Sequence, residues 1–250
     1  MRKRVVLAAA IVLVAAVFSG CVVVGFDGPA FGTGRGSSVR GTGAVISHPV
    51  YTESFSAVQI GGHYEIVYRH APVSSLRFEL HENLVEYIDV EVRSGTLVIS
   101  SEVMFAGNST PRVYIYAPQL DSIAISGTGL LRDWDTLTTQ SLSLDVGGAV
   151  EGSITLEAES VRAVVSGVAS LRLEGRADTA AIVVAGAGEV SAGELQTRNA
   201  SVNIAGVGSV TISVADALDV LISGAGSVRY IGDPDVTSNI IGAGSVTRIE

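Results

Sequence analysis

Few residues of this 250-residue chain have the types and spacing that chemistry needs. Asp133 and Asp135 flank Trp134, the only tryptophan, in "RDWDT". Two carboxylates beside an aromatic ring suit sugar binding or acid–base work on a glycosidic bond. The same stretch also reads as an exposed loop whose indole covers the core edge. The histidines, His48, His63, His70 and His81, all lie in the first third of the chain. His63 and His70 could share a metal only from adjacent strands, and no cysteine joins them at a ligand spacing. "GTGRG" at Gly32–Gly36 has no strand before it and no helix after it, so it fails as a phosphate loop. There is no Ser-His-Asp elbow and no dinucleotide motif. The expectation is no catalytic residue, no metal and no cofactor.

The lone cysteine carries a different chemistry. "MRKR" is a basic start, "VVLAAAIVLVAAVF" is apolar, and "FSGC" ends at Cys21. Small residues before a cysteine look like a lipobox, in which the signal is cut and the sulfur lipidated. This reading makes 1–20 a signal peptide and Cys21 a membrane anchor. An ordinary secretory signal and an uncleaved apolar anchor over Val5–Val24 are the alternatives. All three export the remainder of the chain, which places it in the cell envelope. Without Arg2, Lys3 and Arg4, 13 basic residues face 25 acidic ones, a formal charge of −12. Such a chain repels nucleic acid. With no second cysteine, packing and strand pairing must supply the stability.

The elements that would hold any site are strands. The chain is 47% hydrophobic, too apolar for disorder, and its apolar residues are mainly Val, Ile, Leu and Ala. Residues 21–43 contain a glycine-dense run, "GFDGPAFGTGRGSSVRGTG", and read as a tether. A single domain then covers 44–250. From residue 121 a unit repeats, an apolar residue, one spacer and a glycine: Gly127, Gly148, Gly167, Gly186, Gly206, Gly224 and Gly242. The spacings are 21, 19, 19, 20, 18 and 18 residues. Around each glycine, apolar residues alternate with small or polar ones, the period of a strand. The unit lacks the ladder of leucine-rich repeats and the aspartates of calcium-binding rolls, and is too short for a propeller blade. The fold class is therefore all-β, a parallel β-helix of about seven short coils of 18–21 residues. Glycine at each corner permits either positive φ or close backbone approach, and Gly224→Val is expected to crowd the stack. If the residues after the glycines (Thr128, Ala149, Val168, Ala187, Val207, Ala225, Ala243) face outward, they form an uncharged stripe fit for a partner or a second copy; they also simply fit a tight corner.

Residues 44–120 lack the repeat but keep the alternation, as in "SAVQIGGHYEIVYRH" with a turn at Gly61-Gly62. They read as wider, less regular coils, or a sheet, capping the solenoid. In "GGHYEIVY", "IDVEVRSGTLVIS", "APQLDSIAISGTG" and the repeated "SGAGSV", residues 52–246 resemble the head GIN domain family of bacterial envelope proteins, labelled as auto-transporter adhesin heads. The resemblance implies a parallel β-helix on an exported, often lipidated protein. Glu250 comes four residues after the last motif, so a head without its own translocator is expected. The function expected is an exported, lipid-anchored, non-catalytic envelope module for binding, adhesion or scaffolding. Its ligand would be a glycan, an envelope protein or another copy. The competing class is a polysaccharide lyase or hydrolase, which would need carboxylates converging in a groove.

Overall fold

The computed structural model describes residues 37–250. The signal segment, Cys21, "GTGRG" and most of the predicted tether lie outside the described residues. Nine strands precede the glycine repeat: β1 (Ser38–Arg40), β2 (Val45–Val50), β3 (Ala57–Ile60), β4 (His63–His70), β5 (Ser75–His81), β6 (Ile88–Arg93), β7 (Thr96–Ser101), β8 (Met104–Ala106) and β9 (Arg112–Ala117). Ten more complete the chain: β10 (Ser122–Ile125), β11 (Thr128–Leu131), β12 (Leu137–Val146), β13 (Ala149–Val165), β14 (Val168–Val184), β15 (Ala187–Ile204), β16 (Val207–Ile222), β17 (Ala225–Ile231), β18 (Asp235–Ile240) and β19 (Ala243–Arg248). One 3₁₀ helix spans Glu82–Tyr87.

From β10 onward every pairing is parallel, each coil lying on the one before. This is the β-solenoid. The register explains the sequence alternation. In β14, Ala169, Leu171, Leu173 and Ala177 are buried, while Val168, Ser170, Arg172 and Arg176 face solvent. The inward phase resets once in this coil, between Ala177 and Ala180, where Asp178 and Thr179 are both exposed. It does not reset at the ladder glycine. Val184 is buried, Gly186 holds the next inward position, and Val190 is buried again.

That position explains the ladder. None of the seven ladder glycines has a positive φ; close approach is the reason for glycine there. A Cβ on Gly148 would lie 1.8 Å from the Gly127 carbonyl oxygen, on Gly186 2.1 Å from that of Gly167, and on Gly224 2.0 Å from that of Gly206. Backbone packs directly on backbone at this corner. The left-handed conformation belongs to other turns, such as Gly175 at φ 107° and Gly232 at φ 111°.

The front half begins as one more coil. β3 stacks on β10, with Ile60 opposite Ile125, and β4 stacks on β11, with Ile66 opposite Leu131. Gly61-Gly62 is therefore a solenoid corner and not a hairpin turn, because β3 and β4 lie against different partners. A Cβ on Gly127 would lie 1.9 Å from the Gly62 oxygen, which makes Gly62 an eighth rung. The parallel stack continues through β7 and β9. Antiparallel strands then terminate it, β6 on β7, and β5 on β9 with β2 beyond. Tyr64 packs between Phe78 and Phe105, with ring centroids at 6.4 and 6.1 Å, filling this wider end.

The stretch 21–43 needs a correction at its end. Ser38–Arg40 forms β1, parallel to β8, with Val39 against the core. The Gly41 N–H donates to Ser109 Oγ at 3.0 Å and the Thr42 N–H to Asn83 Oδ1 at 2.7 Å. These satisfied backbone groups make residues 38–42 part of the folded unit.

Candidate binding face

One outer face of the solenoid is built from the strands that come after the ladder glycines. Ala149, Val168, Ala187, Val207, Ala225 and Ala243 are all exposed and in lateral register, and Thr128 begins the row half-buried. Val168 and Val207 are 60% and 63% exposed, high for valine on a sheet. Two residues further on runs a second row, Glu151, Ser170, Glu189, Ser209, Ser227 and Ser245. A third holds Ser153, Arg172, Ser191, Thr211, Arg229 and Thr247. The rows arise from the period of two: inward positions are apolar, so every alternate residue is free to vary.

Where the second and third rows meet the first coil there is a shallow groove of about 570 Å³, lined by Arg132, Asp133, Glu151, Ser170, Arg172 and Glu189 among others. Arg132 lies 3.9 Å from Glu151. Arg172 is held by Glu194 and by Glu174, the latter at 2.7 Å, and the two carboxylates push its pKa further up. Glu151 and Glu189 stand on one row with the Ser170 rung between them, about 10 Å apart along the stack. They project side by side and do not converge.

The residues singled out in "RDWDT" occupy the edge of this groove. Asp133 is exposed, with φ 49°. Its backbone oxygen accepts from Arg69. The Trp134 Nε1–H donates to the Ile66 carbonyl at 3.1 Å, and the indole packs on Tyr68 at 5.6 Å. Asp135 pairs with Arg69 at 3.3 Å and accepts the His70 N–H at 3.0 Å. Tyr68 donates to the Ala117 carbonyl at 3.1 Å, and burial, then the Asp135 charge, pushes its pKa up to about 12. Trp134 and Asp135 thus tie the first repeat coil to β4, while Asp133 alone reaches the groove. His63 and His70 lie at opposite ends of β4, about 23 Å apart. Among the described residues no group of three metal-ligating side chains comes together.

A polar cluster on β4, β5 and β9 has no counterpart among the motifs of the sequence. Arg112 makes two 3.0 Å bonds to Glu65, Tyr114 donates to Glu79 at 2.9 Å, and the Arg77 guanidinium lies 3.9 Å over the Tyr114 ring. The hydrogen bond with Tyr114, then that with Glu65, raises the Arg112 pKa. Only the alternation placing Glu65, Arg77, Glu79, Arg112 and Tyr114 on one outer face hinted at it.

Residues 54–234 match the family model described as "Putative auto-transporter adhesin, head GIN domain". A "putative adhesin" from Bacteroides fragilis superposes with a TM-score of 0.81 at 25% identity, covering 84% of this chain and all of that one. A "putative lipid binding protein" from Parabacteroides distasonis gives 0.62 at 21% identity, over 86% of this chain and all of the other. A "putative adhesin" from Parabacteroides merdae gives 0.58 at 19%, over 85% and 99%. No curated protein matches the sequence. Among the described residues no helix is long and apolar enough to cross a membrane.

Proposed function

The chain belongs to the head GIN domain family, and from that premise we propose that it is an exported, non-catalytic adhesion module, lipid-anchored through Cys21. On this reading its ligand is an envelope glycan or protein held along the outer face. The carrying observation is the lateral register of the three rows: a face of mainly Ala, Val, Ser and Thr from Ala149 to Thr247, with Glu151, Glu189, Arg172 and Arg229 interspersed in the second and third rows. A face with two exposed valines and rows rich in hydroxyls offers apolar contact and hydrogen bonding along a length that suits an extended ligand. The family is described as an adhesin head and the Bacteroides fragilis relative as an adhesin, which supports the same reading. A lyase or hydrolase would need converging carboxylates; Glu151 and Glu189 run parallel, and Asp135 is engaged by Arg69 and His70. The acidic body argues against nucleic acid as a partner.

The test is a screen on glycan and envelope-protein arrays. Wild type and Trp134→Ala should bind the same ligands, whereas Val168→Lys/Val207→Lys should lose them. Binding that survives the lysines and fails in Trp134→Ala would move the site to the groove edge.

A further inference from the structure

The two ends of the solenoid are finished differently. At the front, the outermost strands are β2 and β6, each paired on one side among the described residues. β2 contains Pro49, which has no N–H to donate, and β6 carries Asp89, Glu91 and Arg93. These are the devices that keep a sheet edge from pairing with another chain. At the other end, β18 pairs with β16 and β19 with β17, and their outer edges are unpaired among the described residues. The twelve residues Val236–Thr247 contain no charge and no proline. Val236 is 38% exposed and Ile240 42%, although the inward residues opposite them one coil back, Leu218 and Ile222, are fully buried; Ile241, at the following corner, is 72% exposed. The last coil thus presents an unguarded edge and a partly bare apolar floor.

We propose that this end is the interface with a second copy of the same chain. The copies meet end to end about a two-fold axis, with the strands of the last coil antiparallel across it. Charge selects the occupant. The rest of the chain is strongly acidic, so two copies repel each other except where both are neutral, and Val236–Thr247 is such a place. Symmetry selects the arrangement. Head-to-tail stacking would put this edge on Pro49 or on the charges of β6, whereas a two-fold contact matches edge with edge and closes. The magnitude is adequate. The five uncharged residues of each strand, 236–240 and 243–247, give two antiparallel ladders and about 10 hydrogen bonds, near the number in an ordinary protein interface, with Asp235 and Arg248 at the outer ends. The consequence is a bivalent particle, two outer faces on one two-fold axis, which strengthens attachment to a repetitive ligand. The proposal does not depend on what those faces bind.

Sedimentation equilibrium of the full chain in density-matched detergent tests it. Wild type should have twice the chain mass at micromolar concentration. Ser238→Lys/Ile241→Lys should dissociate at least tenfold more readily with an unchanged melting curve. Ile241→Lys alone, at a corner where the side chain is mostly solvated, should give the same direction without risk to folding. Val168→Lys/Val207→Lys should remain dimeric. A monomeric wild type, a dimer that survives the terminal lysines, or a mass that grows without limit would each overturn the proposal.

Discussion

Gly147 and Gly148 are adjacent in the chain and occupy the same solenoid corner, yet the structure assigns them opposite responses to alanine. A Cβ on Gly148 would stand 1.8 Å from the Gly127 oxygen and 2.6 Å from that of Ser126, distances real Cβ atoms do not adopt. Both neighbours are backbone, so no side chain can swing aside. Relief requires the two coils to separate by about 1 Å or more, which strains the bonds Gly147 N–H to Ile125 O at 2.9 Å, Gly148 N–H to Ile125 O at 3.2 Å and Ala149 N–H to Gly127 O at 2.9 Å. Overpacking costs about 1–3 kcal/mol and each of the three weakened hydrogen bonds about 1 kcal/mol, giving about 4–6 kcal/mol in all. For a unit of this size that lowers the midpoint by about 15 °C. On Gly147 the nearest atom to a Cβ is 3.9 Å away and φ is not positive. Alanine there only restricts the unfolded chain, and should stabilise by about 0.5 kcal/mol. Thermal and urea melts of both variants decide the matter. A Gly148→Ala midpoint within a degree or two of wild type, or equal losses at both positions, would refute backbone-on-backbone packing as the reason for the ladder.

Three other outcomes are open to measurement. The Tyr68 hydroxyl is buried and its pKa is raised to about 12 from 10.0, so the folded state keeps the proton longer than the unfolded state. Stability is therefore full below pH 10 and is lost as pH rises toward 12, by about 2 kcal/mol from this group; the fall in urea midpoint from mildly to strongly alkaline pH should be smaller in Tyr68→Phe than in wild type, and an unaltered pH slope in that variant would contradict the assignment. Trp134→Ala should cost about 2–3 kcal/mol by melting, through the lost bond to Ile66 and the lost contact with Tyr68; no loss would mean the indole is free for a ligand. Cys21→Ser should release the protein from the membrane fraction, and unchanged attachment would sink the lipid-anchor proposal.

The solenoid was legible because it repeats. Seven glycines at near-constant spacing, each flanked by apolar residues at even offsets, admit few folds of any other kind. The role of those glycines was only half legible, since spacing cannot separate positive φ from close approach; the neighbouring coil decides. Gly62 escaped because Val58, Ile60, Gly62, Tyr64 and Ile66 match Ile123, Ile125, Gly127, Gly129 and Leu131 position for position, but across a gap filled by β5 to β9. Antiparallel pairing in the front was hidden for a simpler reason: alternation reports a half-buried strand and says nothing about the direction of its partner. β1 was hidden by its composition, because Ser38–Arg40 is short and sits in a glycine-rich run whose backbone groups are bonded by Asn83 and Ser109, remote in sequence. In "RDWDT" the residue types were visible, but the partners Arg69, His70 and Ile66 lie more than 60 residues away.

The central claim, that the outer face is the binding surface, is tested most directly by measuring the affinity of wild type and of Val168→Lys/Val207→Lys for the strongest array ligand. Both valines are exposed, so the folded structure should tolerate the change and the melting curves should coincide. The account predicts at least a tenfold loss of affinity in the lysine variant. Equal affinity, with both proteins folded, would contradict it.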